Sequence, residues 1–171
     1  SAGVQQEMIV QSEYDAHHLP VAVTNAAGGT SRFSYNQFGQ VISETNPAGE
    51  VLKYEYDNQG QLVRVINQEG RTQVSYQWDA MGRIASQTDA EGYTVRHSYD
   101  ALNRKIRSEY PDDTAEVFEW RALDLIAQTN RAGQTTRFEY DANRRLIAKT
   151  DPSGITLRYE YDPDGNLTAL T

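Results

Sequence analysis

Cysteine is absent, so the chain has neither a disulfide framework nor thiolate chemistry, and the redox compartment stays open. No apolar run approaches the ~20 residues a membrane-spanning helix needs, so membrane insertion is not expected. Aliphatic residues are scarce: Leu, Ile, Val and Phe make 33 of 171, and with a net charge of -8 that borders on the composition of a disordered chain. Basic residues are the minority charge. A pI near 4.8 repels polyanions and weighs against nucleic acid as a partner. The opening Ser1-Ala2-Gly3 has no initiator Met, basic region or apolar run, and is expected to be a cloning remnant instead of a signal peptide.

What is present is a period. Aromatic residues number 2 Trp, 11 Tyr and 4 Phe, and they recur. An aromatic residue, followed in most copies by Asp, stands at Tyr14-Asp15, Tyr35-Asn36, Tyr56-Asp57, Trp78-Asp79, Tyr99-Asp100, Trp120-Arg121, Tyr140-Asp141 and Tyr161-Asp162, in steps of 21, 21, 22, 21, 21, 20 and 21. Self-similarity at a fixed step is the signature of a repeat architecture.

Each unit carries two turn signals. The first follows the aromatic residue and closes on Gly39, Gly60, Gly82 or Gly165; the second comes ten residues later and closes on Gly49, Gly70, Gly92, Gly133 or Gly154. Asp or Asn at the first position, Pro tolerated at the second and Gly at the fourth is type I turn chemistry, with the acidic or amide side chain accepting a backbone hydrogen bond. Stretches of six or seven residues separate the turns and are rich in strand formers, as in Leu62-Val63-Arg64-Val65-Ile66. Connections this short join only antiparallel neighbours. The fold class is therefore all-β: tandem hairpins of about 21 residues forming a curved antiparallel meander of roughly sixteen strands. Residues 1–13 are expected to be a strand of a partial repeat behind the cloning remnant, and 14–171 eight repeats, the last cut short.

The second strand of each unit has an aromatic or His residue two places before the next repeat aromatic: Phe33/Tyr35, Tyr54/Tyr56, Tyr76/Trp78, His97/Tyr99, Phe118/Trp120, Phe138/Tyr140 and Tyr159/Tyr161. Period two puts both on one face. Val41, Leu62, Ile84, Ile126, Leu146 and Leu167 are expected to fill between the rings, with the Tyr hydroxyls reaching the wet edge. Arg32, Lys53, Arg96, Arg137 and Arg158 then occupy the opposite face, where Glu55, Glu139 and Glu160 are candidate partners. In the fifth unit Asn103 and Asp113 replace both turn glycines. The sixth unit is one residue short at Arg121-Ala122-Leu123-Asp124, and a bulge or bend is expected near it.

A four-bladed propeller would need alternate 21-residue units to differ, and they do not; a leucine-rich horseshoe needs a Leu pattern that is missing; hairpin turns argue against a stacked parallel helix. No nucleophile elbow, phosphate loop or dinucleotide fingerprint occurs. The carboxylates recur at turn positions, where capping their own backbone explains them better than acid-base chemistry. Asp162, Asp164 and Asn166 have the alternate spacing of a calcium loop without its closing Glu. On a strand His17 and His18 would point to opposite faces, and His97 takes a ring position, so no metal site is expected. No catalytic residue and no cofactor are expected; a carbohydrate bound on the aromatic face is the alternative reading.

The motif Tyr-Asp-x-x-Gly-(Arg/Gln)-(Leu/Ile/Val), then Thr-(Asp/Asn)-x-x-Gly, then Arg/Lys-aromatic-x-Tyr-Asp resembles the YD repeat of the Rhs family. Its clearest copies are Trp78-Asp79-Ala80-Met81-Gly82-Arg83-Ile84 and Tyr56-Asp57-Asn58-Gln59-Gly60-Gln61-Leu62, and Tyr14-Asp15-Ala16-His17-His18-Leu19-Pro20-Val21 resembles a variant. The resemblance covers roughly residues 14–171. It implies a strip of hairpins coiled into a hollow shell, as in bacterial Rhs polymorphic toxins, toxin-complex subunits and teneurins. It also implies a secreted or cell-surface parent, whose remaining repeats and C-terminal effector domain are the partners. Complete shells use more repeats, and the family's self-cleaving junction is missing: Asp162-Pro163-Asp164-Gly165 is a repeat turn. A cut array exposes strand edges, through which self-association is expected.

Overall fold

The structure is a computed structural model and describes residues 11–171. The reading of residues 1–10 lies outside the described residues. The strands are β1 (Gln11–Tyr14), β2 (Pro20–Thr24), β3 (Thr30–Tyr35), β4 (Val41–Thr45), β5 (Val51–Tyr56), β6 (Leu62–Asn67), β7 (Thr72–Trp78) and β8 (Ile84–Asp89). They continue as β9 (Thr94–Tyr99), β10 (Lys105–Glu109), β11 (Ala115–Arg121), β12 (Asp124–Thr129), β13 (Thr135–Tyr140), β14 (Leu146–Thr150), β15 (Thr156–Tyr161) and β16 (Leu167–Leu170). No helix occurs among the described residues, and the strands are hydrogen-bonded in sequence order, β1 to β16. The chain divides into two compact units: the described residues up to Arg83 with Gln87–Gly92, and Ile84–Ser86 with Tyr93–Thr171.

Nearly every turn is built alike. In the first turn of the third repeat the Asp57 N–H donates to the Gln61 carbonyl at 2.9 Å, and the Gly60 N–H to the Asp57 carbonyl at 3.1 Å. The Asp57 carboxylate Oδ1 accepts from the amides of Gln59 (2.9 Å) and Gln61 (2.8 Å). This is a three-residue hairpin loop, a type I turn closed by one residue in the left-handed region. Gly49 takes that place at φ 85, where an L side chain is strained. His18 (φ 62), Asn103 (φ 61), Asp113 (φ 62) and Arg144 (φ 64) do so without being glycine. His17 and His18 are thus turn residues, not strand residues. Gly29 serves differently: a Cβ there would lie 2.9 Å from Pro47 Cβ, so the second turns of the first two repeats approach closely only because it has none.

Register makes the two hairpins of a repeat unequal. Pairing across a first turn runs the length of the strands but skips one residue: Ser34 opposes Ser43 and Tyr35 opposes Val41, leaving Ile42 as a bulge. The same shift occurs beside Tyr14, Tyr56, Tyr99, Trp120, Tyr140 and Tyr161. The expected bulge in the sixth unit is therefore present but is not special to it. What is special there is a two-residue connection, with Arg121 opposite Asp124 and Ala122 at φ 48. The 22-residue step is absorbed elsewhere, by a second shift that leaves Gln73 out of register in β7.

The faces differ in kind. Ala22, Ala127 and Ala148 are 3%, 3% and 1% exposed, the buried apolar residues of the described chain. Each lies between a Glu and an Arg on the flanking strands: Glu13 and Arg32, Glu119 and Arg137, Glu139 and Arg158. The long stems fold over the methyl group and keep their charges wet. Ion pairs formed on this face are Arg64–Glu55 at 2.6 Å, between cross-strand neighbours, and Arg107–Glu109 at 2.8 Å, two residues apart on one strand; the arginines expected to pair there act as covers. The other face carries the rings, half-buried among Val65, Val74, Leu52 and Leu157.

Substituting Gly49→Ala is expected to lower stability by about 1 kcal/mol, and Asp113→Gly to raise it by about 0.5–1 kcal/mol. Thermal and urea denaturation of the two variants checks both signs.

Candidate functional site

Across a second turn the ladder is short. Between β4 and β5 it holds Ser43–Lys53, Glu44–Leu52 and Thr45–Val51 and then stops. The pairs β2–β3, β10–β11, β12–β13 and β14–β15 likewise stop after three. Beyond the last pair the strands part into a wedge that opens toward the first-turn rim, with Val41 and Ile42 on one side and Tyr54 and Tyr56 on the other. The bulge causes this: it turns the start of the strand out of register with its next neighbour.

The repeat aromatic spans the wedge. Tyr35 Oη donates to the Pro20 carbonyl at 2.7 Å, Tyr56 Oη to Val41 at 2.7 Å and Tyr99 Oη to Ile84 at 3.0 Å. Trp78 Nε1 donates to Leu62 at 2.8 Å, Trp120 Nε1 to Lys105 at 3.0 Å and Tyr161 Oη to Leu146 at 2.9 Å. The acceptor is the residue just before the bulged one, as Val41 before Ile42, Lys105 before Ile106 and Leu146 before Ile147. Of the hydroxyls expected at the wet edge, those of Tyr35, Tyr56, Tyr99 and Tyr161 are instead spent on backbone. Tyr and Trp interchange here because each presents a flat ring with a donor at its far end; Phe has none, and the repeat positions hold none.

The rest of the motif locks this bridge. Asp79, Asp100 and Asp141 cap their turns with Oδ1 and hold the Nε of Arg83, Arg104 and Arg145 with Oδ2, each at 2.7 Å. So oriented, the Arg104 guanidinium lies 5.2 Å from the ring centre of Trp120 and that of Arg145 4.9 Å from Tyr161. Arg145 also donates to the Asp162 carbonyl of the next turn at 3.2 Å, and Arg104 to that of Ala122. In the second repeat Gln40 does the same to Gly60 at 2.8 Å. The Asp carboxyls are held below their ordinary value: at Asp79 and Asp100 chiefly by the arginine side chain, at Asp141 chiefly by the Arg145 amide. Burial raises the hydroxyls of Tyr35 and Tyr56, and burial with the 3.0 Å bond to Glu44 pushes Tyr54 up to about 12.

The first-turn Asp of one repeat is thus linked through its Arg to the aromatic of the next, Asp100 to Trp120 and Asp141 to Tyr161. Tyr14 is 60% exposed. Leu125, not Ile126, opposes Trp120; Ile126 is the bulged residue. In the fifth repeat the filler position is Lys105, its ammonium 5.2 Å from the Phe118 ring centre. His97 keeps the ring role, its Nδ1 3.1 Å from Ser108 Oγ, and burial lowers its pKa. The Asp162 carboxylate is occupied by the backbone and side-chain amides of Asn166 at 2.8 and 3.0 Å. Among the described residues no three His, Cys, Asp or Glu side chains gather as for a metal ion. Sequence reasoning missed the wedge and its carbonyl acceptors; the recurring Arg or Gln four places after Asp was their visible trace.

A motif whose parts all serve the junction between hairpins should match as overlapping pairs of repeats. The RHS Repeat family does so, at residues 14–51, 35–72, 56–92, 78–115, 120–156 and 143–171. The chain belongs to the RHS repeat family. No curated protein matches it. Among solved structures, a chain of the TcdB2-TccC3-Cdc42 crystal structure is similar to this RHS array with a TM-score of 0.72 and 19% identity, over 82% of this chain and 9% of the other. A chain of the Photorhabdus luminescens Tc holotoxin pore, carrying a TccC3 mutation, matches at a TM-score of 0.46 and 17% identity, over 95% and 12%. The RHS segment thus spans about a tenth of the chains it resembles.

Tyr56→Phe is expected to cost about 1 kcal/mol, because the Val41 carbonyl loses its donor while the ring stays; Trp78→Phe should behave alike in urea denaturation. A carboxyl whose folded pKa is depressed stabilises above its unfolded pKa, and that contribution is lost as pH falls through the folded value. Stability should therefore decline below about pH 4, less steeply in Asp141→Asn, as acid titration followed by circular dichroism checks. For Tyr54 the raised pKa gives the opposite sign: stability holds below pH 10 and falls as pH rises toward about 12.

Proposed function

We propose that this chain is a non-catalytic section of wall from a larger RHS protein, residues 14–171 acting as eight repeats of a β-shell that encloses or displays an effector domain. The observation that supports this is the wedge bridge. At six of the seven junctions a repeat offers the carbonyl beside its bulge to the ring of the following repeat, a junction that can be repeated indefinitely. Its carboxylates are ionised caps and its ring donors are taken by backbone, an arrangement suited to holding hairpins together and not to moving protons. The fold likeness to the toxin-complex chain points the same way, to a secreted parent whose remaining repeats continue the sheet. A sugar-binding use of the aromatic face competes with the bridge, since the O–H and N–H groups a sugar would engage are given to carbonyls.

Limited proteolysis of the full-length parent tests this. An enclosed effector segment should resist cleavage until denaturant opens the repeats. Cleavage at the rate of the same segment expressed alone would sink the proposal.

A further inference from the structure

Six of the seven junctions between repeats carry the ring bridge, which reaches back fifteen residues, or sixteen at Trp78. The exception is Tyr140. Fifteen residues before it stands Leu125, yet among the described residues the Tyr140 hydroxyl has no hydrogen-bond partner. This junction follows the shortened turn, where Arg121 already pairs with Asp124 and Ala122 sits at φ 48. The same turn reverses the contact that flanks the ring. At three other junctions the residue four places after the first-turn Asp or Asn reaches forward to a carbonyl of the next turn: Gln40 to Gly60 at 2.8 Å, Arg145 to Asp162 at 3.2 Å, and Arg104 to Ala122. In the sixth repeat, one residue short, Asp124 takes that place, and a carboxylate cannot donate. Arg144 of the following turn reaches back instead, giving its Nε to the Asp124 carboxylate at 2.7 Å and its Nη2 to the Leu123 carbonyl at 3.1 Å. It does so from the glycine position of its turn, at φ 64, where a long side chain is strained. Strain of that kind persists where the side chain is needed.

We propose that the junction between the sixth and seventh repeats is a salt-releasable hinge, closed at its first-turn end by Arg144 and Asp124 in place of a ring bridge, and the first junction of the array to open. The pair is suited to release: Arg144 is 53% exposed and Asp124 22%, and an ion pair half in water is weakened by salt. A ring hydrogen bond to backbone carries no net charge for salt to screen. The second-turn end of the junction stays fixed. There Ala127–Arg137, Gln128–Thr136 and Thr129–Thr135 form the ladder, and the hydroxyls of Thr129 and Thr135 bond each other at 2.8 Å. Once Arg144 lets go, the seventh hairpin can swing about that end. The hinge belongs to the repeats themselves and does not depend on what the wall encloses.

Amide hydrogen exchange of the whole chain, read peptide by peptide in a mass spectrometer, tests this. The β4–β5 ladder is the internal control: it also holds three pairs, its Tyr56 bridge is in place, and its flanking contact, from Gln40, is uncharged. At low salt the β12–β13 amides should exchange about fivefold faster than those of β4–β5, as expected for one missing hydrogen bond. Raising salt to about 1 M, where screening acts within about 3 Å, should speed β12–β13 exchange further and leave β4–β5 unchanged. Asp124→Asn at low salt should do the same, by about threefold. Tyr140→Phe should leave β12–β13 as it was, whereas Tyr56→Phe should speed exchange at β4–β5. Equal rates at the two ladders would overturn the proposal. So would a β12–β13 rate indifferent to both salt and Asp124→Asn, or a Tyr140→Phe effect as large as that of Tyr56→Phe.

Discussion

Everything in this sheet rests on a ring reaching across a gap to a carbonyl. A β-bulge beside each repeat aromatic breaks the ladder, leaving the hairpins joined by three residue pairs and a wedge. Without a donor the bulge carbonyl would face that wedge unsatisfied, and the first-turn ends would be free to splay. Tyr or Trp of the following repeat supplies the donor, and its flat body fills the space. Asp, Gly and Arg are then subordinate parts: Gly lets the turn close, Asp caps it, and the same Asp aims the Arg over the next ring.

This explains how so poor a composition holds a fold. Among the described residues full apolar burial is reached by three alanines, and the rings and the aliphatic residues between them are half-covered. Stability is distributed over junctions between nearest neighbours, built from ring hydrogen bonds and capped turns, with a stacked cation added at Trp120 and Tyr161. The charged face contributes in the same local way, its Glu and Arg stems closing over Ala22, Ala127 and Ala148.

The departures show which parts tolerate loss. Where Tyr110 displaces the usual Asn or Asp of a second turn, Asp112 caps Thr114 instead, and Arg131 bonds Asp112 at 2.6 Å while stacking 4.0 Å from the Tyr110 ring centre. A neighbouring repeat thus repairs the defect. The shortened sixth turn is held by Arg144 on Asp124 at 2.7 Å, and the extra residue of the third repeat bulges at Gln73 without disturbing the Trp78 bridge. Length varies and caps move while the ring donor is kept at Tyr35, Tyr56, Trp78, Tyr99, Trp120 and Tyr161; it is lost at Tyr140, which follows the shortened sixth turn.

The period, the two turns and the strands between them were legible from residues alone. Turn chemistry is local: Asp, Asn, Pro and Gly act on backbone within four positions, and short connections permit only antiparallel neighbours. The ring face was legible for the same reason, since alternation along a strand is a property of one strand. The bulge, the wedge and the bridge were not. They depend on register between strands, which shifts by one residue at Tyr56 with no change of residue type to announce it. Hence Tyr56 could be assigned to a face from its neighbours in the chain, but its hydrogen bond to Val41, fifteen residues back, arises only once two hairpins lie side by side.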